Sequence, residues 1–123
     1  MTILKIMSAI KFRGQDFAGM WHIGDVIHSD DDDMLIRSGC FSSFVKNETV
    51  GQFTGLNDKN GVEMFFDDVV RNGWGDIGRI VWYENSIRVD WGGGDIHYID
   101  MDDEIEVIGN IHDNPNLMYG GYV

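Results

Sequence analysis

The groups in this sequence that could do chemistry are four histidines, one cysteine, a glycine-rich run and 21 carboxylates. His22, His28, His97 and His112 would hold a metal only if several converged at ligand distance. None falls in an H-E-x-x-H pattern, or in an H-x-E paired with C-x-x-C. His22 and His28 share a strand face by parity, yet six extended residues span about 20 Å, too far for one ion. The single Cys40 can complete neither a disulfide framework nor a multi-cysteine zinc site. Flanked by Gly39 and Phe41, it is expected to be a small packing residue. No metal and no cofactor is expected.

Residues 73–78, Gly-Trp-Gly-Asp-Ile-Gly, spell GxGxxG. A dinucleotide site needs that run between a strand and a helix, so that the helix N-terminus meets the pyrophosphate. Here a strand is expected to follow, and the run reads as a glycine-rich β loop. Trp74 at its centre has two readings. It is an exposed anchor for a partner, or it packs on the domain's own core, which is the favoured reading. The run Asp30, Asp31, Asp32, Asp33 lacks the glycine and closing glutamate of an EF-hand loop. Asp100, Asp102, Asp103 and Glu104 form a second acidic turn. Carboxylate pairs at any chosen spacing are inevitable in so acidic a chain, so they do not signal general acid and base catalysis. With no G-x-S-x-G, P-loop or kinase signature, the chain is not expected to be an enzyme.

These side chains must be positioned by short strands. The expected strands are 20–28, 34–37, 41–46, 49–54, 62–66, 68–71, 77–83, 87–91, 96–99 and 105–111. Turn residues separate them, above all Asp58-Lys59-Asn60-Gly61 and Gly92 to Gly94. In 87–91 the side chains of Ile87, Val89 and Trp91 share one face and those of Arg88 and Asp90 the other, as period-2 geometry requires. The Asp run is then the tip of a hairpin. No window carries a capped apolar helical stripe, so at most one short helix is expected, within 39–47 or 62–69. The fold class is mainly β, a small barrel or sandwich, with an SH3-like strand order in residues 67–91. A chain of 123 residues, 43% hydrophobic, has the size of one domain. No run approaches the roughly 20 apolar residues that span a bilayer, and no signal-peptide pattern opens the chain. Acids outnumber Lys and Arg 21 to 9, for a net charge of -12, which argues against direct binding of nucleic acid or an anionic membrane.

From Ile10-Lys11-Phe12-Arg13 onward the sequence resembles the YopX family of phage and prophage proteins. The likeness strengthens at Gly24-Asp25-Val26-Ile27-His28. It is most specific in TVGQFTGLNDKNG at 49–61 and in IEVIGNIHDNPNL at 105–117. The family's "GD-apolar-V" element is represented by Phe66-Asp67-Asp68-Val69-Val70, with Asp67 where Gly is usual. The resemblance covers residues 10–117, which defines a β domain with an N-terminal extension at 1–9 and a tail at 118–123, Met7 being a second candidate start. It implies a largely β fold, a phage or prophage origin and expression in the cytoplasm of a host bacterium. It brings no accepted catalytic residues. The shared motifs read as structural, and the loops at 29–48 and 92–104 as the carriers of individual function.

Three functions follow as expectations. The first is a non-enzymatic counter-defence inhibitor that occupies a host nucleic-acid-binding or defence protein, imitating the charge of DNA through Asp30, Asp31, Asp32, Asp33, Asp102, Asp103 and Glu104. The second is an oligomeric sponge for a nucleotide signal, built on Arg71, Trp74, Arg79, Arg88 and Trp91. The third is a phage structural or assembly protein. Open β edges and four tryptophans make a homo-oligomer the expected state.

Overall fold

Strand by strand, the alternation of apolar and polar residues is realised as antiparallel ladders. The structure, a computed structural model, describes residues 10–119. They fall into two compact units, one ending at Phe53 and the other beginning at Thr54.

The first unit contains β1 (Phe12–Gln15), β2 (Trp21–His28), β3 (Met34–Ser38), β4 (Phe41–Val45) and the start of β5 (Gly51–Asn57), in the order β4-β3-β2-β1-β5. Ile36 lies opposite Val26 on one side and Ser43 on the other. It is buried together with Val45. Asp16 bridges to Val45, and the N–H of Lys46 donates to the Gln15 carbonyl at 2.8 Å. The ladder therefore curls until the ends of β1 and β4 touch. Gly14 is required there, because a Cβ at that position would sit 2.9 Å from Val45 Cγ2 and 3.1 Å from Ile36 Cγ1. Buried Thr49 secures the junction, its hydroxyl accepting the Gln15 N–H at 2.9 Å and donating to the Lys46 carbonyl at 2.6 Å.

In the second unit the remainder of β5 pairs with β6 (Glu63–Phe65). A five-stranded sheet follows, in the order β10-β9-β8-β7-β11, from β7 (Asp68–Arg71), β8 (Ile77–Tyr83), β9 (Ser86–Asp90), β10 (Ile96–Tyr98) and β11 (Glu106–Asn110). Its core is Met64, Val70, Ile80, Val89 and Ile105, with Ile87, Trp91 and Val107 packed against it. Ile80 faces Val89 across the ladder, which leaves Arg88 and Asp90 on the opposite face as the period-2 reading requires. The expected strand, loop, strand, tight turn, strand order of 67–91 is β7, β8 and β9, with Glu84 and Asn85 both at positive φ in the two-residue turn.

The mainly β reading holds, and several details change. The helix candidates at 39–47 and 62–69 are strands, β4 and then β6 with β7. Among the described residues there is no α-helix, only short 3-10 turns at Asn47–Thr49, Met101–Asp103 and Pro115–Tyr119. Both candidate segments carry Phe and Val, which gain more from a pleated, half-buried surface than from a helix. β1 is a strand beyond those expected, and its Phe-Arg-Gly-Gln gives little signal because it is short and centred on glycine. Cys40 is exposed and does not pack, because it sits in the β3–β4 turn beside Gly39 at φ 62°. Asp67, where the family pattern has glycine, holds φ 73°, the left-handed region that glycine enters without strain. No described helix is long and apolar enough to cross a membrane.

Candidate functional site

Two side-chain-capped turns meet in the second unit. After β7, Asn72 folds the glycine-rich loop around its own amide. Its Oδ1 accepts the N–H of Trp74 at 3.0 Å and of Asp76 at 2.9 Å, and its carbonyl accepts the N–H of Gly75. The indole of Trp74 is thereby presented on an ordered turn, and it is 85% exposed. This overturns the expectation that Trp74 packs on the core. A loop closed on Asn72 points position 74 away from β7. As expected, a strand and not a helix follows the GxGxxG run.

The second turn is built the same way. Asp100 Oδ1 accepts the N–H of Asp102 at 2.9 Å, and its carbonyl accepts the N–H of Asp103 at 3.0 Å. Ile105, fully buried, pins the end of the turn in the core. The turns are joined by the N–H of Gly73, which donates to the Asp103 carbonyl at 2.8 Å. A Cβ at Gly73 would lie 3.1 Å from Glu104 Oε2, a mobile side-chain end, so the backbone hydrogen bond and not the glycine sets the approach. Between them lies a cleft of about 210 Å³ lined by Gly73, Trp74, Asp102, Asp103 and Glu104.

The chemistry this lining offers is attraction of positive charge. An indole face attracts ammonium and guanidinium groups through its quadrupole, and three carboxylates set a negative potential beside it. None of the five lining residues is basic, and none is paired with a base in an arrangement that would activate a nucleophile. Among the described residues no group of three or more His, Cys, Asp and Glu side chains is placed to hold a metal.

The other candidate residues are dispersed. Asp30 to Asp33 lie in the first unit, exposed in the turn between β2 and β3. Ser29 Oγ orders that turn by accepting the N–H of Asp31 at 3.3 Å and of Asp33 at 3.2 Å. The arginines share the face of the five-stranded sheet opposite Ile80 and Val89, each within 4 Å of a carboxylate, although Arg79 Nε is buried without a hydrogen-bond partner among the described residues. Arg71 lies 3.3 Å from Glu106, Arg79 3.8 Å from Asp67 and Arg88 3.7 Å from Glu84. Arg88 also donates to Ser86 Oγ and Tyr98 Oη, with its guanidinium 4.2 Å from the centre of the Tyr98 ring. It clamps β10 onto β9. Trp91 sits on the core side of the same sheet. The structure therefore does not gather Arg71, Arg79, Arg88, Trp74 and Trp91 into one pocket. It places Trp74 with Asp102, Asp103 and Glu104 instead.

Two carboxylates that sequence reading did not single out are each tied by three hydrogen bonds. Asp16 receives the N–H groups of Ala18 and Met20 and lies 2.8 Å from His22 Nε2. The hydrogen bond from His22, then that from Met20, holds its pKa below the ordinary value. Buried Asp58 accepts the N–H groups of Asn60, Val62 and, from β11, Val107. Burial pushes its pKa up, but the donors of Val107, Val62 and Asn60 outweigh it and the net shift is downward.

The YopX protein family matches residues 11–119. The chain belongs to this family. Its YopX fold is similar to the crystal structure of protein EF1440 from Enterococcus faecalis, with a TM-score of 0.60 and 23% identity over 89% of this chain and 97% of that one. It is also similar to the X-ray structure of protein yopX from Bacillus subtilis, with a TM-score of 0.56 and 17% identity over 88% of this chain and 95% of that one. At these identities the YopX likeness carries the fold and not a shared activity. None of the curated proteins matches the chain.

Proposed function

We propose that this YopX-family chain is a non-catalytic binding protein that acts by occupying a basic surface of another protein. The observation that supports the reading best is the cleft in which exposed Trp74 stands beside Asp102, Asp103 and Glu104. An aromatic anchor next to fixed negative charge is how a protein engages Lys- and Arg-rich surfaces. With a net charge of -12, the chain competes for a surface that otherwise takes nucleic acid phosphates. The partner class is a nucleic-acid-binding or defence protein of a host bacterium, met in its cytoplasm, and the chain is a phage or prophage product that counters it. The arginines that a nucleotide sponge would need are already engaged by acids, which favours the binding-protein reading.

The test is capture of the partner from host lysate, followed by association kinetics across a salt series. Trp74→Ala is expected to weaken the complex by about 2 kcal/mol, roughly 30-fold, mostly through faster dissociation. Asp102→Asn, Asp103→Asn and Glu104→Gln together are expected to slow association by about 10-fold at low salt and to flatten its salt dependence. Kinetics of the triple variant that match the parent at every salt concentration would remove the proposal.

A further inference from the structure

A second surface, independent of the cleft, lies at the edge of the first unit. β4 ends its ladder and pairs only with β3. Its other side is met at one end, where Val45 bridges to Asp16 and Lys46 bonds to Gln15, so residues 41–44 present unpaired backbone among the described residues. Natural edges are blunted by charge, proline or bulges. This one carries none of them. Residues 38–45, Ser-Gly-Cys-Phe-Ser-Ser-Phe-Val, are without charge in a chain of net charge -12. Phe41 is 80% exposed and Phe44 55% exposed. Phe44 lies opposite Leu35 and Leu35 opposite Ile27, an apolar row that runs across the sheet to the open strand.

Charge selects the occupant. A basic partner is drawn to the acidic turns and not to this uncharged edge. Two copies of the chain repel one another over most of their surface, and least along a segment without charge. An edge strand is also complementary to itself when run antiparallel, and a two-fold axis closes the assembly at two copies. We propose that β4 pairs with β4 of a second copy, around a two-fold axis near Ser42 and Ser43, to give a homodimer with a sheet continuous across the interface.

Sedimentation equilibrium on the full chain tests this. The parent should be a dimer at about 100 μM, and Phe41→Lys should raise the dimer dissociation constant at least tenfold. Phe44→Lys serves as a second edge variant should the first fail to keep the parent circular dichroism spectrum. Tyr98→Lys, on the edge strand of the other sheet, should leave the dimer intact. A parent that is monomeric at that concentration would overturn the proposal. So would a dimer indifferent to both edge lysines, or one lost only with Tyr98→Lys. A monomer that dimerises only after removal of residues 1–9 would also overturn it, assigning the edge to that segment.

Discussion

Replacing Asp58 with Ala is expected to lower the unfolding free energy by about 3–4 kcal/mol, the sum of three hydrogen bonds to a charged acceptor less the water that partly replaces them. The carboxylate closes the Asp58-Lys59-Asn60-Gly61 turn on Asn60 and Val62 and fastens it, 49 residues along the chain, to the Val107 N–H at 2.9 Å. Removing it leaves three donors short of a partner and cuts the tie to β11. Gly61, at φ 82°, keeps the turn geometry in the variant, so the loss reports the carboxylate and not the backbone. Urea unfolding checks the magnitude. Acid checks the sign. The folded pKa of Asp58 lies below the ordinary 3.8. Its stabilisation is therefore fully present above that value and is lost as the pH falls through the lower folded pKa. The parent's urea midpoint should drop over this acid window, and Asp58→Asn should show a shallower drop from a lower start. Asp16, also shifted down, accounts for part of the slope that remains.

Gly24→Ala should be nearly as damaging, at about 3 kcal/mol or more. A Cβ at Gly24 would stand 1.9 Å from the Arg37 carbonyl oxygen and 2.8 Å from its carbon. Both obstacles are backbone, so no rotamer change relieves them and β2 must move off β3. Gly19→Ala is the comparison. Gly19 has φ 91°, but a methyl placed there would meet nothing within 4 Å, so only the conformational cost, about 1 kcal/mol, applies. Thermal melts should separate the two variants by on the order of 5–10 °C. Equal losses would place the cost in backbone conformation and not in strand contact.

These residues also show what the sequence made legible. β8 and β9 could be read directly, because Ile87, Val89 and Trp91 alternate with Arg88 and Asp90 and an Asn turn stands between the strands. The acidic hairpin tip at Asp30 to Asp33 was equally clear, since four adjacent carboxylates tolerate only water. β1 was not, because a four-residue strand built on Gly14 has no alternation to detect. Its identity lies in what it touches, Val45 and Ile36. The cleft was half legible. Trp74 and the acids at 102–104 each stood out, but their meeting depends on the pairing of β7 with β11, Arg71 opposite Glu106, and on the hydrogen bond from Gly73 to Asp103 across about 30 residues, which no local pattern reports. Asp58 was hidden for the same reason. In so acidic a chain one more aspartate in a turn carries no signal until Val107 is seen to donate to it.

The cleft between Trp74 and the acidic turn is proposed to take positively charged side chains. A titration of isotopically labelled protein with a short Lys- and Arg-rich peptide, followed by amide and indole N–H chemical shifts at low salt, tests it directly. Saturable shifts at the Trp74 indole and at Asp102, Asp103 and Glu104, abolished by Trp74→Ala and weakened by added salt, are the predicted result. Shifts confined to Asp30 to Asp33, or spread evenly over the acidic surface with Trp74 silent, would contradict it.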